Sequence, residues 1–142
     1  MTVRAFALSV ALILLVAPFA LAQDAGFERV LASARTSWSH GDAEAIASLA
    51  RSGGLFVTVG SRSFGPLGAR HATALLRQVF DKLGTAELER KSVQVVDGPQ
   101  PRGYGEYLWS TDGATAATVF LGLVRDRRGW RLTEIRITLP GW

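Results

Sequence analysis

The segment ATALLRQVFDKLG, residues 72–84, is followed two residues on by ELERKSVQVV, residues 87–96, and the hydrophobic period changes between them. Ala72, Leu75, Leu76, Val79 and Leu83 recur at helical spacing, and Gly84 stands just beyond them as a stop signal. From Glu87 onward the period is two. Gly103–Ser110, Ala114–Val124 and Trp130–Leu139 continue it, giving four long strand candidates in succession. Asp112-Gly113 is a two-residue hairpin signal, and Asp97–Arg102 and Arg125–Gly129 serve as longer hairpin loops. Consecutive hairpins make an antiparallel meander, and helices that precede the strands rather than alternate with them predict an α+β fold. In the last candidate Trp130 and Leu132 share a face while Ile135 and Ile137 fall out of phase, which predicts a β-bulge near Thr133-Glu134.

Upstream, Phe27, Val30, Leu31, Ala34 and Trp38 lie on one helical stripe that ends at His40-Gly41. Asp42 is a suitable N-cap for a second, short helix carrying Ile46, Leu49 and Ala50, which Gly53-Gly54 breaks. Leu55–Val59 is a short β-rich run, and the glycines and Pro66 between Gly60 and Gly68 read as turns around a short strand at Arg62–Phe64.

The chain has 142 residues, 48% hydrophobic and 20% charged, with no cysteine. That composition excludes disorder, disulfide scaffolds and thiolate metal clusters. Eighteen of the hydrophobic residues fall in the first 22. There, Arg4, an apolar run from Ala5 to Ala17, Pro18 and the small-residue site Ala20-Leu21-Ala22 form the three regions of a signal peptide, residues 1–22. The apolar run is shorter than the ~20 residues that span a bilayer. The expected mature chain is therefore one domain, residues 23–142, periplasmic or secreted, with no membrane segment after cleavage. Without Arg4, 15 basic residues stand against 12 acidic ones, a net charge of +3. The densest basic stretch, Arg125 to Arg128, is interrupted by Asp126 and sits in a turn, so no nucleic-acid partner is expected.

Trp38 followed by Gly41-Asp42-Ala43-Glu44-Ala45-Ile46, then Phe64-Gly65 before the third helix, then Gly129-Trp130-Arg131-Leu132 in the final strand, resemble the nuclear transport factor 2-like superfamily. The resemblance covers residues 27 to 139, and is strongest to secreted bacterial members of unknown function. It implies three N-terminal helices packed on a curved, mostly antiparallel sheet that forms a cone. The superfamily includes isomerases, dehydratases and cyclases beside members without known activity, so the resemblance implies a pocket but no particular reaction. Its isomerases hold a carboxylate base inside the cone. The corresponding run here, Leu55-Phe56-Val57-Thr58-Val59, has no carboxylate, a departure from that pattern.

Glu106 and Glu134 on later strands, and His71 at the start of the third helix where the dipole favours a neutral ring, are the catalytic candidates. Trp38, Phe56, His71, Phe80, Tyr107 and Trp109 are the expected ligand-binding set for a small apolar ligand. The same aromatics, with Tyr104, Phe120 and Trp130, would equally fill a core. Alternation puts Tyr104 and Glu106 on one face of their strand and Tyr107 and Trp109 on the other, so both sets cannot line one cavity. Two lone histidines, with no cysteine, give no metal site, and no cofactor fingerprint is present. Thr115, Ala117, Val119, Leu121 and Leu123 share one face. Either that row is left to a second copy, as a homodimer through the outer sheet face, or it faces the helices and Thr118 and Phe120 point outward. The expected function is a non-catalytic small-molecule-binding or protein-interaction module, the alternative a cofactor-free isomerase, dehydratase or cyclase acting on a small apolar substrate.

Overall fold

Three helices are present: α1 (Ala17–Ser39), α2 (Ala43–Ser48) and α3 (Ala69–Leu83). The computed structural model describes the backbone of residues 17–110 and 116–140, and side chains from residue 25 onward. Of the expected leader, residues 1–16 lie outside this range, and so does the Asp112-Gly113 turn. No helix among the described residues is long and apolar enough to cross a membrane. Phe27, Leu31, Ala34 and Trp38 bury the inner stripe of α1, as Ala72, Leu76, Val79 and Phe80 bury that of α3. Gly41 sits at φ 65°, the left-handed conformation that lets the chain leave α1 and turn at once into α2. Asp42 then caps α2, its side chain accepting from the Ala45 N–H at 3.1 Å.

The strands are β1 (Leu55–Val59), β2 (Arg62–Leu67), β3 (Leu88–Val96), β4 (Arg102–Ser110), β5 (Ala116–Asp126) and β6 (Gly129–Thr138). They form one sheet in the order β2-β1-β6-β5-β4-β3. Only the β1–β6 pair is parallel among its neighbours. Compared with the sequence reading, β2 runs on through Pro66 to Leu67. The loop expected at Arg125–Gly129 is tighter, because Asp126 pairs with Gly129 and accepts the Arg128 N–H at 2.8 Å.

The bulge falls where the phase change placed it. Gly122 pairs with Glu134 and Leu123 with Leu132, so Thr133 has no partner across the ladder. Its hydroxyl donates to the Gly122 carbonyl at 3.1 Å. With the extra residue, Trp130, Leu132, Ile135 and Ile137 all face the core. The apolar row Ala117, Val119, Leu121 and Leu123 is buried there too, so it is covered by this chain's own helices and is not the surface a second copy would meet. Thr118 and Phe120 point to the outer face.

The helices fit the sheet's inner face closely. At Gly103 the Phe27 ring occupies the space a side chain would need, and at Gly105 an added Cβ would lie 2.7 Å from the Tyr107 hydroxyl. Gly103→Ala is expected to destabilise the fold by about 1–3 kcal/mol through overpacking. Gly98→Ala, in open space, is expected to stay within about 0.5 kcal/mol of the parent. Urea unfolding of the two variants measures the contrast.

Candidate functional site

The six residues expected to bind a ligand divide among three places. Trp38, Phe80, Tyr107 and Trp109 lie inside the cone, buried. Trp38 meets Phe80 and Trp109 edge to face, with ring centroids 5.1 and 5.2 Å apart. This packing fills the interior between α1, α3 and β4. Phe56 is half exposed on the opposite face of the sheet, because Leu55 and Val57 on either side of it take the inward positions of β1. His71 is exposed on the first turn of α3. The three catalytic candidates do not converge either. Glu106 shares the outer face with Tyr104 and has Lys91 4.0 Å away, while Glu134 accepts from Arg136 at 2.6 Å.

Inside the cone, polar groups accompany the aromatics. Arg35 donates to the Leu88 carbonyl at 3.0 Å, and its guanidinium lies 5.5 Å from the Tyr107 ring centroid. Its Nε, the indole N–H groups of Trp38, Trp109 and Trp130, and the Tyr107 hydroxyl have no hydrogen-bond partner among the described residues. Burial pushes the Tyr107 phenol above its ordinary value, with the nearby Arg90 and Arg35 guanidiniums pulling the other way. Arg90 itself is bound to Glu28 on α1 at 2.6 Å.

Two depressions lie on the outer face. One depression of about 490 Å³ is lined by Arg51, Arg102, Tyr104, Phe120, Gly122 and Glu134, among others. A second, of about 440 Å³, is lined by Phe56, Thr58, Ser63 and Phe64. Both include Thr133 and Glu134, so the bulge forms the ridge between them. A third, of about 390 Å³, lies between α3 and the β1–β2 hairpin. None of Trp38, Phe80, Tyr107 and Trp109 lines these three.

Register explains the larger depression. Across the outer face run Gln94, Tyr104, Gly122, Glu134 and Phe56, each paired with the next on the neighbouring strand. Gly122 leaves the middle of that row without a side chain. Tyr104 stacks on Phe120 at 5.4 Å, and Arg136 covers Phe120 at 5.1 Å. Arg51 reaches the site because its N–H bonds the Leu132 carbonyl at 3.0 Å, which ties the segment after α2 to β6. Tyr104, Phe120 and Glu134 were among the residues singled out in the sequence. Arg51, Arg102, Gly122 and Arg136 were not, since only strand register brings them together. The one local signal was a glycine interrupting the outward positions of an otherwise regular strand.

No protein-family model matches the chain, and no curated protein matches it. Solved structures do. A DUF4783 family protein from Bacteroides ovatus matches at 15% identity with a TM-score of 0.63, over 78% of this chain and 96% of that one. An NTF2-like protein with a cystatin-like fold from Novosphingobium aromaticivorans matches at 16% identity and 0.61, over 90% and 88%. A putative dehydratase from the NTF2-like family of Streptomyces avermitilis matches at 12% and 0.61, over 80% and 92%. The likeness establishes the fold and, at these identities, the fold alone.

The Tyr107 hydroxyl provides a test of the interior. Removing an unpartnered buried hydroxyl costs little, so Tyr107→Phe is expected to be neutral or up to about 1 kcal/mol more stable at pH 7. A phenol raised in the folded state keeps its proton while the unfolded phenol, near pH 10, loses it. Wild-type stability should therefore fall relative to the variant as pH rises past about 10, by up to about 1.4 kcal/mol per pH unit. Urea midpoints of both proteins between neutral and alkaline pH check this.

Proposed function

We propose that this chain, an NTF2-like fold whose interior is filled by its own aromatics, is a non-catalytic binding module that works from the outer face of its sheet. The observation that carries the reading is the contrast between the two faces. Inward, Trp38, Phe80 and Trp109 pack edge to face and line none of the three depressions, the one on the helix side being bounded by Leu75, Val79, Leu83 and Leu139. Outward, a groove with aromatic, cationic and carboxylate side chains lies open beside the exposed Phe56. Ligand sites combine an apolar surface with a few polar groups in this way. The positions of His71, Glu106 and Glu134 support binding over isomerase, dehydratase or cyclase chemistry, since proton transfer needs acid and base to reach one substrate and these three stand apart. As part of the same reading, residues 1–22 act as a cleaved export signal and the module works in the periplasm or the medium.

A small apolar or aromatic ligand should raise the melting temperature, because binding only the folded state stabilises it by about 2.7 kcal/mol at a hundredfold excess over Kd. Amide NMR of the ligand-bound protein should shift resonances at Gly122, Thr133 and Glu134 and leave those of Trp38 and Trp109 in place. Shifts centred on the two tryptophans would return the site to the cone and defeat the reading. A stable dimer that buries Phe56 and excludes every ligand would assign the face to a second copy instead.

A further inference from the structure

A separate groove, of about 390 Å³, lies on the helix side of the sheet, between α3 and the β1–β2 hairpin. Its helix wall is Leu75, Val79 and Leu83, which at i, i+4 and i+8 fall on one side of α3. Its sheet wall follows from register. Val59 stands two residues after the buried Val57, Phe64 pairs with Val57, and Leu139 stands two residues after the buried Ile137, so all three face inward. The two walls do not close on each other: Phe64 is 37% exposed, and Val59, Leu75, Leu83 and Leu139 are only partly buried. The polar side chains at the groove are Arg62, Lys82 and the neutral Gln78. Arg62 pairs with Val59 across the hairpin, and Lys82 precedes Leu83 on α3. Among the described residues no carboxylate lines the groove, and neither cation enters an ion pair.

We infer that this groove is a second binding site, for a single-chain aliphatic carboxylate, a free fatty acid of medium length. The tail lies along α3 between the leucine and valine stripe and Phe64, and the carboxylate meets Arg62 and Lys82. From Leu75 to Leu83 the helix rises about 12 Å, which sets the length of chain that the apolar walls can cover. Apart from Phe64 those walls are aliphatic, so they offer a flexible tail contact along its length and offer a flat ring no stack. The lining decides the charge. A carboxylate answers both cations, whereas an amine would bring a further positive charge to them and an alcohol would leave them to water. A bare inorganic anion would leave the apolar walls wet. The volume, about 390 Å³, is of the size that holds a small molecule. None of the lining residues belongs to the larger outer depression, so the two sites are tested apart.

The test is an amide NMR titration of the full chain with octanoate, 1-octanol, octylamine and decanoate. Octanoate should shift the amides of Leu75, Val79, Leu83 and Leu139 and leave those of Gly122 and Thr133 in place. It should bind about tenfold more tightly than octanol, as expected for charge-assisted hydrogen bonds, with octylamine weakest. Decanoate, with two more methylenes to bury, should bind about tenfold more tightly than octanoate. The double variant Arg62→Gln, Lys82→Gln changes only exposed side chains, and should reduce octanoate to the affinity of octanol with the fold preserved. Phe64→Ala, also at an exposed position, should weaken octanoate and octanol alike by several-fold. An octanoate preference that survives the double variant overturns the proposal, and so does an affinity that does not grow from octanoate to decanoate. Equal binding of octanoate, octanol and octylamine at α3 overturns it as well. Octanoate that shifts Gly122 and Thr133 but no α3 amide overturns it while leaving the outer-face reading standing.

Discussion

Strand β6 has to bury Trp130 and Leu132 near its start and Ile135 and Ile137 near its end, and a regular strand cannot do so, because those pairs fall on opposite faces. One extra residue, Thr133, solves the conflict. The energetics favour the bulge clearly. Exposing two aliphatic side chains would forfeit about 1.5–3 kcal/mol each. The interrupted ladder loses one hydrogen bond of about 0.5–1.5 kcal/mol, and the Thr133 hydroxyl offsets part of that by donating to Gly122. Bulges also sharpen local twist, so the residue that keeps β6 in phase helps the sheet curl around α1 and α3. The same residue borders both outer depressions. Fold and groove therefore share one structural cause.

The curl determines what the interior can be. Edge-to-face contacts among Trp38, Phe80 and Trp109 add about 0.5–1.5 kcal/mol per pair beyond the area they bury. Against this stand the indole N–H groups of Trp38 and Trp109, unpartnered among the described residues and each costing about 1–3 kcal/mol of desolvation. A core that tolerates such costs is organised for packing volume more than for polar recognition. Arg35 and the Arg90–Glu28 pair seal the α1 side over Tyr107, so charge in this region closes the cone instead of opening it. The centre of the cone is packed with the chain's own side chains.

Much of this architecture was legible in the residues themselves. The stripe Phe27 to Trp38, the Asp42 cap, the change of period after Gly84 and the phase slip at Thr133-Glu134 are local patterns, and local patterns survive without knowledge of neighbours. The face assignments did not. Val119, Leu121 and Leu123 fit a partner surface as well as a core until the sheet order placed β5 in the middle, under the helices. Phe56 carries the same ambiguity. It is as hydrophobic as Phe80, but its strand has Leu55 and Val57 at the inward positions, and β1 lies parallel to β6 so that Phe56 stands beside Glu134. Arg51 reaches the groove only through a backbone hydrogen bond to Leu132, 81 positions away in sequence, which no local periodicity encodes.

The glycines show how one residue type makes room for neighbouring side chains on both faces. On the inner face of β4, Gly103 and Gly105 are needed because Phe27 and Tyr107 fill the space above them. There the missing side chain lets helix and sheet approach, and it ends as packing. On the outer face of β5, Gly122 has neighbours no closer than 3.4 Å to where a Cβ would be, and no helix covers it. Here the missing side chain leaves room for the Phe120 ring, which lies at the border of the larger depression. In both places the backbone has given up side-chain contacts that a strand normally uses for stability. Inside the cone an aromatic from the same chain replaces them. Outside, Phe120, Glu134 and Thr133 close around the position at 3.4–3.7 Å, so that Gly122 is buried by its neighbours on the sheet.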